Sequence, residues 1–108
     1  METEIGRSSL VGKTLTFAGF CFVEHSLDPS LHVMLSVYRM GADAHVICVS
    51  ETAEPDEDGA KEGLGGDVPG EAIAPFAVRL LEGLHPTELK AVLSRSYPKA
   101  TWNWAKDK

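Results

Sequence analysis

The sequence predicts an α+β fold: a three-stranded antiparallel meander, an acidic loop, and two antiparallel helices packed on one sheet face, with a short C-terminal edge strand as an option. Three features of the 108 residues lead to this prediction. Apolar and polar residues alternate in the first half, acids accumulate in residues 51–71, and apolar residues recur at helical spacing near the end. The length suits one domain spanning residues 1–108.

Residues 1–13 are predicted to be a flexible start. They contain GRSSLVGKT, which approaches the phosphate-binding loop motif but has five residues, not four, between its first glycine and Gly-Lys-Thr. A β-prone run follows where that motif needs a helix, so nucleotide binding is not expected. The β-prone run, residues 14–24, is the first predicted strand, and Gly19 within it indicates a β-bulge or a close backbone approach.

The next two strands form a hairpin between Leu31 and Glu51, with its turn at Gly41-Ala42-Asp43. A two-residue loop would place Val37 opposite Val46. A three-residue loop would place Val37 opposite Ile47. Both registers are apolar, and we favour the first because it leaves the histidines on the more polar face.

Residues 52–70 are predicted to be a mobile, solvated loop. The segment 51–71 holds eight acids and one base, a net charge of −7, whereas the whole chain carries −6. It has too few apolar residues to offset the entropy lost on ordering. Asp56-Glu57-Asp58-Gly59 does not match a calcium loop, because its glycine stands at the fourth position instead of the sixth.

Two helices are predicted after the acidic loop. The first spans residues 71–84, with Pro75 in its first turn, and a strand over residues 76–81 is the alternative. The second spans residues 87–97, with His85 or Thr87 as N-cap. In the tail, Trp102 and Trp104 would share one face of an extended segment, where they could close the core or anchor a partner.

The sequence shows no catalytic motif. Cys21 and Cys48 lie in strand-like runs and are predicted to be buried free thiols, with a disulfide as the alternative. The four histidines lack the spacing of a metal site. We therefore predict that the chain is not an enzyme and has no cofactor and no metal.

The charge distribution predicts a non-catalytic protein-binding module of the acidic inhibitor, immunity or anti-defence type, which engages a basic protein partner. The candidate contact residues in the acidic loop are Glu54, Asp56, Glu57, Asp58, Glu62 and Asp67. The same acidity argues against nucleic acid as a direct ligand.

The alternative is a chaperone, adaptor or assembly subunit that forms a homodimer or binds a partner through an apolar sheet face. That face would consist of Phe20, Phe22, Met34, Tyr38, Ile47 and Val49, and the candidate aromatic contacts are Phe20, Phe22, Tyr38, Trp102 and Trp104. A small-molecule pocket between sheet and helices is a third option. The polar start and the lack of an apolar run near ~20 residues predict a cytoplasmic protein without membrane contact, or a mature form whose signal has been removed.

Overall fold

The central hairpin forms as predicted, but with the longer loop. The computed structural model describes residues 2–106 except 43 and 74. In it, β3 (His32–Met40) and β4 (Ala44–Thr52) pair antiparallel, with Val37 opposite Ile47. The favoured two-residue register is therefore wrong, and the three-residue alternative is confirmed. Gly41 takes a φ of 74°, which glycine adopts without steric cost and which lets the longer loop turn.

The predicted three-stranded sheet is wrong, because the meander is the centre of a larger antiparallel sheet with seven strands among the described residues. The further strands are β1 (Glu2–Ile5), β2 (Thr14–Glu24), β5 (Asp67–Pro69), β6 (Ala77–Glu82) and β7 (Asn103–Trp104). Their order is β1-β6-β4-β3-β2-β5, and β7 also pairs with β2. The sheet, not a pair of helices, dominates the fold.

The main error concerns residues 71–84, which do not form a helix. A 3₁₀ turn at Gly70–Ala72 is followed by β6, which lies between β1 and β4. Val78 and Leu81 are buried on opposite faces of the sheet, 2% and 4% exposed. A strand that is buried on both faces carries apolar residues at neighbouring positions, and these can imitate helical spacing. Pairing on both edges outweighs the modest helix propensity of this segment.

The second predicted helix is confirmed as α2 (Pro86–Ser96). His85 is its N-cap: the imidazole Nδ1 accepts a hydrogen bond from the Thr87 amide at 3.3 Å. Leu89 and Leu93, each 2% exposed, face the sheet. Among the described residues, α2 is the one α-helix that contributes buried side chains to the core.

The two segments predicted to be flexible both contain regular structure. Residues 1–13 include β1 and a 3₁₀ turn at Arg7–Leu10, and Leu10 is fully buried. Residues 52–70 include α1 (Glu57–Gly63) and β5. The mobility of both segments stays a prediction.

Each face of the sheet is covered. On the face that we call the helix face, Cys21, Leu35, Val37, Ile47 and Leu81 lie beneath Leu89 and Leu93. On the opposite face, the turn face, Leu15, Val46, Cys48 and Val78 pack with Leu10 of the first 3₁₀ turn and with Ile73, which directly follows the second. The two cysteines therefore lie on opposite faces, which confirms the prediction of buried free thiols.

The apolar face expected for a dimer is not assembled as predicted. Phe20, Phe22, Met34 and Tyr38 point to the turn face, whereas Ile47 and Val49 point to the helix face. The physical reason is the hairpin register: a shift of one residue moves every side chain of β4 to the other face.

Candidate functional site

A pocket of about 500 Å³ opens on the helix face where α2 begins. Its floor is one row of cross-strand partners running from Asp67 through Thr16 and Arg39 to His45. Residues paired in this way point to the same face of a sheet. The first turns of α2 and the C-terminal arm, residues 103–106, form the walls. The described lining residues are Thr16, Phe17, Ala18, Arg39, His45, Gly65, Asp67, Pro86, Leu89, Lys90, Trp104, Ala105 and Lys106.

A bulge in β2 holds the C-terminal arm in place. The register of β2 against β3 shifts between Phe17 and Gly19, and Gly19 pairs with Trp104. A Cβ atom on residue 19 would clash with the Trp104 ring. Both features predicted from Gly19, a bulge and a close approach, are therefore confirmed. The Ala105 amide donates to the Ala18 carbonyl at 2.8 Å, which fixes the arm beyond the tryptophan.

The Trp104 ring is held from two sides. It stacks on Trp102 with 5.1 Å between ring centroids and 14° between ring planes. The Lys90 ammonium on α2 lies 5.5 Å from the Trp104 ring centroid, within the range of a cation–π contact. The wall of the pocket is thus joined to α2 as well as to β2.

The described lining of the pocket has the opposite charge balance from the chain as a whole. Among the described residues, the lining contains Arg39, Lys90 and Lys106 and one carboxylate, that of Asp67. The Thr16 hydroxyl donates to Asp67 Oδ1 at 2.8 Å. Concave surfaces concentrate the field of the charges that line them, and in the described lining cations outnumber carboxylates although the chain has a net charge of −6.

His45 is the buried polar residue of the floor, 4% exposed. Burial lowers its pKa, and the neighbouring Arg39 lowers it further, so the imidazole is neutral near pH 7. Its Nδ1 is shielded from solvent and has no hydrogen-bond partner among the described residues. A buried nitrogen without a hydrogen bond lowers the free energy of unfolding by roughly 1–3 kcal/mol, so His45 at this position destabilises the fold.

The pocket offers little for covalent chemistry. The described lining includes no serine, tyrosine or cysteine, and its one hydroxyl group, on Thr16, donates to Asp67. Burial raises the pKa of the Cys21 and Cys48 thiols to about 12 each, and thiols of that kind are unreactive. Across the described residues, no group of three or more His, Cys, Asp or Glu side chains could hold a metal ion.

The acidic residues predicted as partner contacts all lie at the surface. All six predicted acidic contacts are exposed: Glu54, Asp56, Glu57, Asp58, Glu62 and Asp67. α1 contributes no buried residue, and Asp56 caps it by accepting from the Gly59 amide at 2.9 Å. The segment is fastened at its far end, where the Gly65 amide donates to the Phe17 carbonyl at 2.8 Å. We call Glu54, Asp56, Glu57, Asp58 and Glu62 the acidic surface; Asp67 belongs to the pocket.

The aromatic residues predicted as contacts do not come together. Phe20 is fully buried, and Phe22 and Tyr38 are half-buried on the turn face. Trp102 and Trp104 are half-buried on the helix face. Only Trp104 lines the pocket.

Sequence reasoning missed Arg39, His45, Lys90 and Lys106 as a group. The alternative hairpin register, with the three-residue loop, would have predicted one of these contacts, because it places Arg39 opposite His45. Nothing in the sequence pattern brings Lys106 to this end, because that depends on the pairing of β7 with β2.

Searches against protein-family models, curated proteins and solved structures found no match to this chain. Within the described residues, the helices are too short and too polar to span a membrane.

Proposed function

We propose that this chain is a non-catalytic binding protein that holds a small ligand in the pocket at the start of α2. The observation that supports this is the pocket itself, whose volume of about 500 Å³ lies within the ~300–1,000 Å³ of known ligand sites. Apolar groups of Pro86, Leu89 and Trp104 face polar groups on the floor, as ligand sites require. A cytoplasmic location belongs to this proposal, since free thiols persist in a reducing compartment.

The architecture supports binding because the walls come from distant parts of the chain. The C-terminal arm, α2, the loop before β5 and three central strands all contribute lining residues. Such a site is organised by the fold rather than by one flexible loop, so its shape exists before the ligand arrives.

The test is to titrate ¹⁵N-labelled protein with a panel of small acids, amides and amines and to follow the backbone amides of Ala18, Gly65 and Ala105. We expect at least one class to shift these amides. Ala105→Phe should fill the mouth of the pocket and remove the response, whereas Ala91→Phe, on the exposed side of α2, should leave it unchanged. A panel that shifts none of the three amides would refute the proposal.

A second candidate function is the binding of a basic protein through the acidic surface. It is favoured by α1, which displays its acids without burying any residue, on a segment fastened to β2. Clustered carboxylates accelerate association with basic partners, and salt screens this effect.

This second function can be tested with a lysine-rich peptide as the probe. The double variant Asp58→Asn with Glu62→Gln should slow association and flatten its salt dependence more than the matched pair Glu4→Gln with Glu24→Gln, which are exposed acids elsewhere. Equal effects of the two pairs would show that net charge acts, not the acidic surface.

A further inference from the structure

We infer that the ligand of the pocket is a small organic oxyanion, a carboxylate or phosphate group carried on an apolar body. This inference rests on the proposed function, because it names the chemical class of the ligand that the pocket holds.

The first argument is the convergence of cations. Arg39 comes from β3, Lys90 from α2 and Lys106 from the C-terminal arm, and the fold brings all three to one concave surface. A guanidinium offers paired donors that match the two oxygens of a carboxylate or phosphate. Ammonium groups on the two walls can contact the same group from other directions. A cation in this pocket would instead meet three like charges.

The second argument concerns the acidity of the chain, which opposes an anion at long range. Apart from Asp67, none of the acids in residues 51–71 lines the pocket. Salt weakens the repulsion between an anion in the pocket and acids outside it. Asp67 keeps its negative charge while it accepts a hydrogen bond from the Thr16 hydroxyl at 2.8 Å. The described lining therefore sets three cations against one carboxylate, which favours an anion.

The third argument is the apolar part of the lining, which calls for more than an inorganic ion. The apolar lining residues are Pro86 and Leu89 of α2, Trp104 and Ala105 of the C-terminal arm, and Ala18 of β2. A bare ion would leave these groups in contact with water, whereas an apolar body would bury them. The neutral His45 on the floor adds a polar group that carries no competing negative charge.

The experiment compares four defined probes by calorimetry and by the shifts of the Ala18, Gly65 and Ala105 amides. Phenylacetate and phenylphosphate carry an oxyanion on an apolar ring, phenylacetamide is a neutral isostere, and inorganic phosphate lacks the ring. We expect one or both aromatic anions to bind and the other two probes to bind about tenfold more weakly or not at all. Which aromatic anion binds more tightly distinguishes a carboxylate from a phosphate ligand.

Variants locate the effect. Arg39→Gln and Lys106→Gln should each weaken binding of the aromatic anion by about tenfold. Arg95→Gln and Lys99→Gln remove the same charges from exposed positions outside the pocket and should change the affinity less than about twofold.

Two results would overturn the inference while leaving the proposed function in place. They are equal binding of phenylacetamide and phenylacetate at the pocket amides, and equal loss of affinity in the pocket variants and their controls. Inorganic phosphate that binds as tightly as phenylphosphate would overturn the requirement for an apolar body. If no small molecule of any charge shifts the pocket amides, the proposed function itself fails.

Discussion

The two faces of the sheet bury cores of similar kind but are closed in different ways. On the turn face, short 3₁₀ turns approach the sheet and each other so closely that Gly70 lies against the backbone of Leu10. On the helix face, α2 stands away from the strands on the side chains of Leu89 and Leu93. The cavity beside the two 3₁₀ turns, lined by Arg7, Ser8, Val11 and Glu71, has a volume of about 230 Å³, whereas the pocket at the start of α2 has about 500 Å³. Closure by backbone contact thus leaves less space than closure by a helix.

The largest difference in stability is expected when one methyl group is added to the turn face. In Gly70→Ala, the new Cβ would collide with the Leu10 carbonyl, and a backbone atom cannot move aside as a side chain can. We expect a loss of about 3 kcal/mol or more in the free energy of unfolding, measured by urea denaturation.

Gly6→Ala is the matched control. Its backbone φ is −77°, and its Cβ would meet only Ser8 Oγ at 3.6 Å, an ordinary contact. The control should change stability by less than about 0.5 kcal/mol. If both variants are equally stable, the two turns are not closed by backbone contact.

Leucine truncation on each face sharpens the comparison. Leu10 is fully buried, whereas Leu89, 2% exposed, also borders the pocket. Leu→Ala substitutions in cores cost about 2–5 kcal/mol, depending on how well the site can relax. We expect Leu10→Ala near the upper end and Leu89→Ala near the lower, because a void beside the pocket can open to water. The reverse order in urea melts would contradict the model of a loosely closed helix face.

The pH dependence of stability tests the floor of the pocket. The pKa of His45 is lowered from 6.5, so below about pH 6.5 the unfolded chain binds a proton that the folded chain resists. Stability is therefore full above pH 6.5 and falls as the pH decreases, by up to about 1.4 kcal/mol per pH unit. His45→Gln should have a flatter profile between pH 6.5 and 5.5. Identical slopes for the two proteins would exclude a buried neutral imidazole.

The two thiols report on the faces without any substitution. Cys21 lies in the core of the helix face and Cys48 in that of the turn face, and burial raises the pKa of each thiol to about 12. Neither should react with iodoacetamide at pH 8 within the time that unfolded protein needs for full labelling. At longer times, mass spectrometry should find Cys21 labelled first. Faster labelling of Cys48 would show that the turn face opens more easily.

The sequence predicted those structural features that depend on neighbouring residues alone. The hairpin, the start of α2 at His85 and the bulge at Gly19 follow from turn chemistry, capping and the role of glycine, and all are present. A helix was favoured over the alternative strand at β6, because that strand depends on pairing with β1 and β4, which lie far from it in the sequence.

The pocket was beyond prediction for the same reason. Arg39 and His45 meet through the hairpin register, but Lys90 and Lys106 join them only through the packing of α2 and the pairing of β7. Both of those contacts are tertiary, and no spacing in the sequence encodes them. The acidic surface, by contrast, could be predicted from the sequence, because the charge of a segment depends on its composition and not on the fold.

The outer edge of β2 has a consequence for solubility. A strand of 11 residues with free backbone donors and acceptors would invite pairing with another molecule. Here that edge is divided among β5, Gly65–Gly66 and β7, which together occupy it from Thr14 to Phe20. Three short segments thus pair with this part of the edge in place of one long strand, and none of them is long enough to start a further sheet. Removing β7 would leave part of the apolar edge of β2 unpaired, and two chains would then tend to associate through these edges.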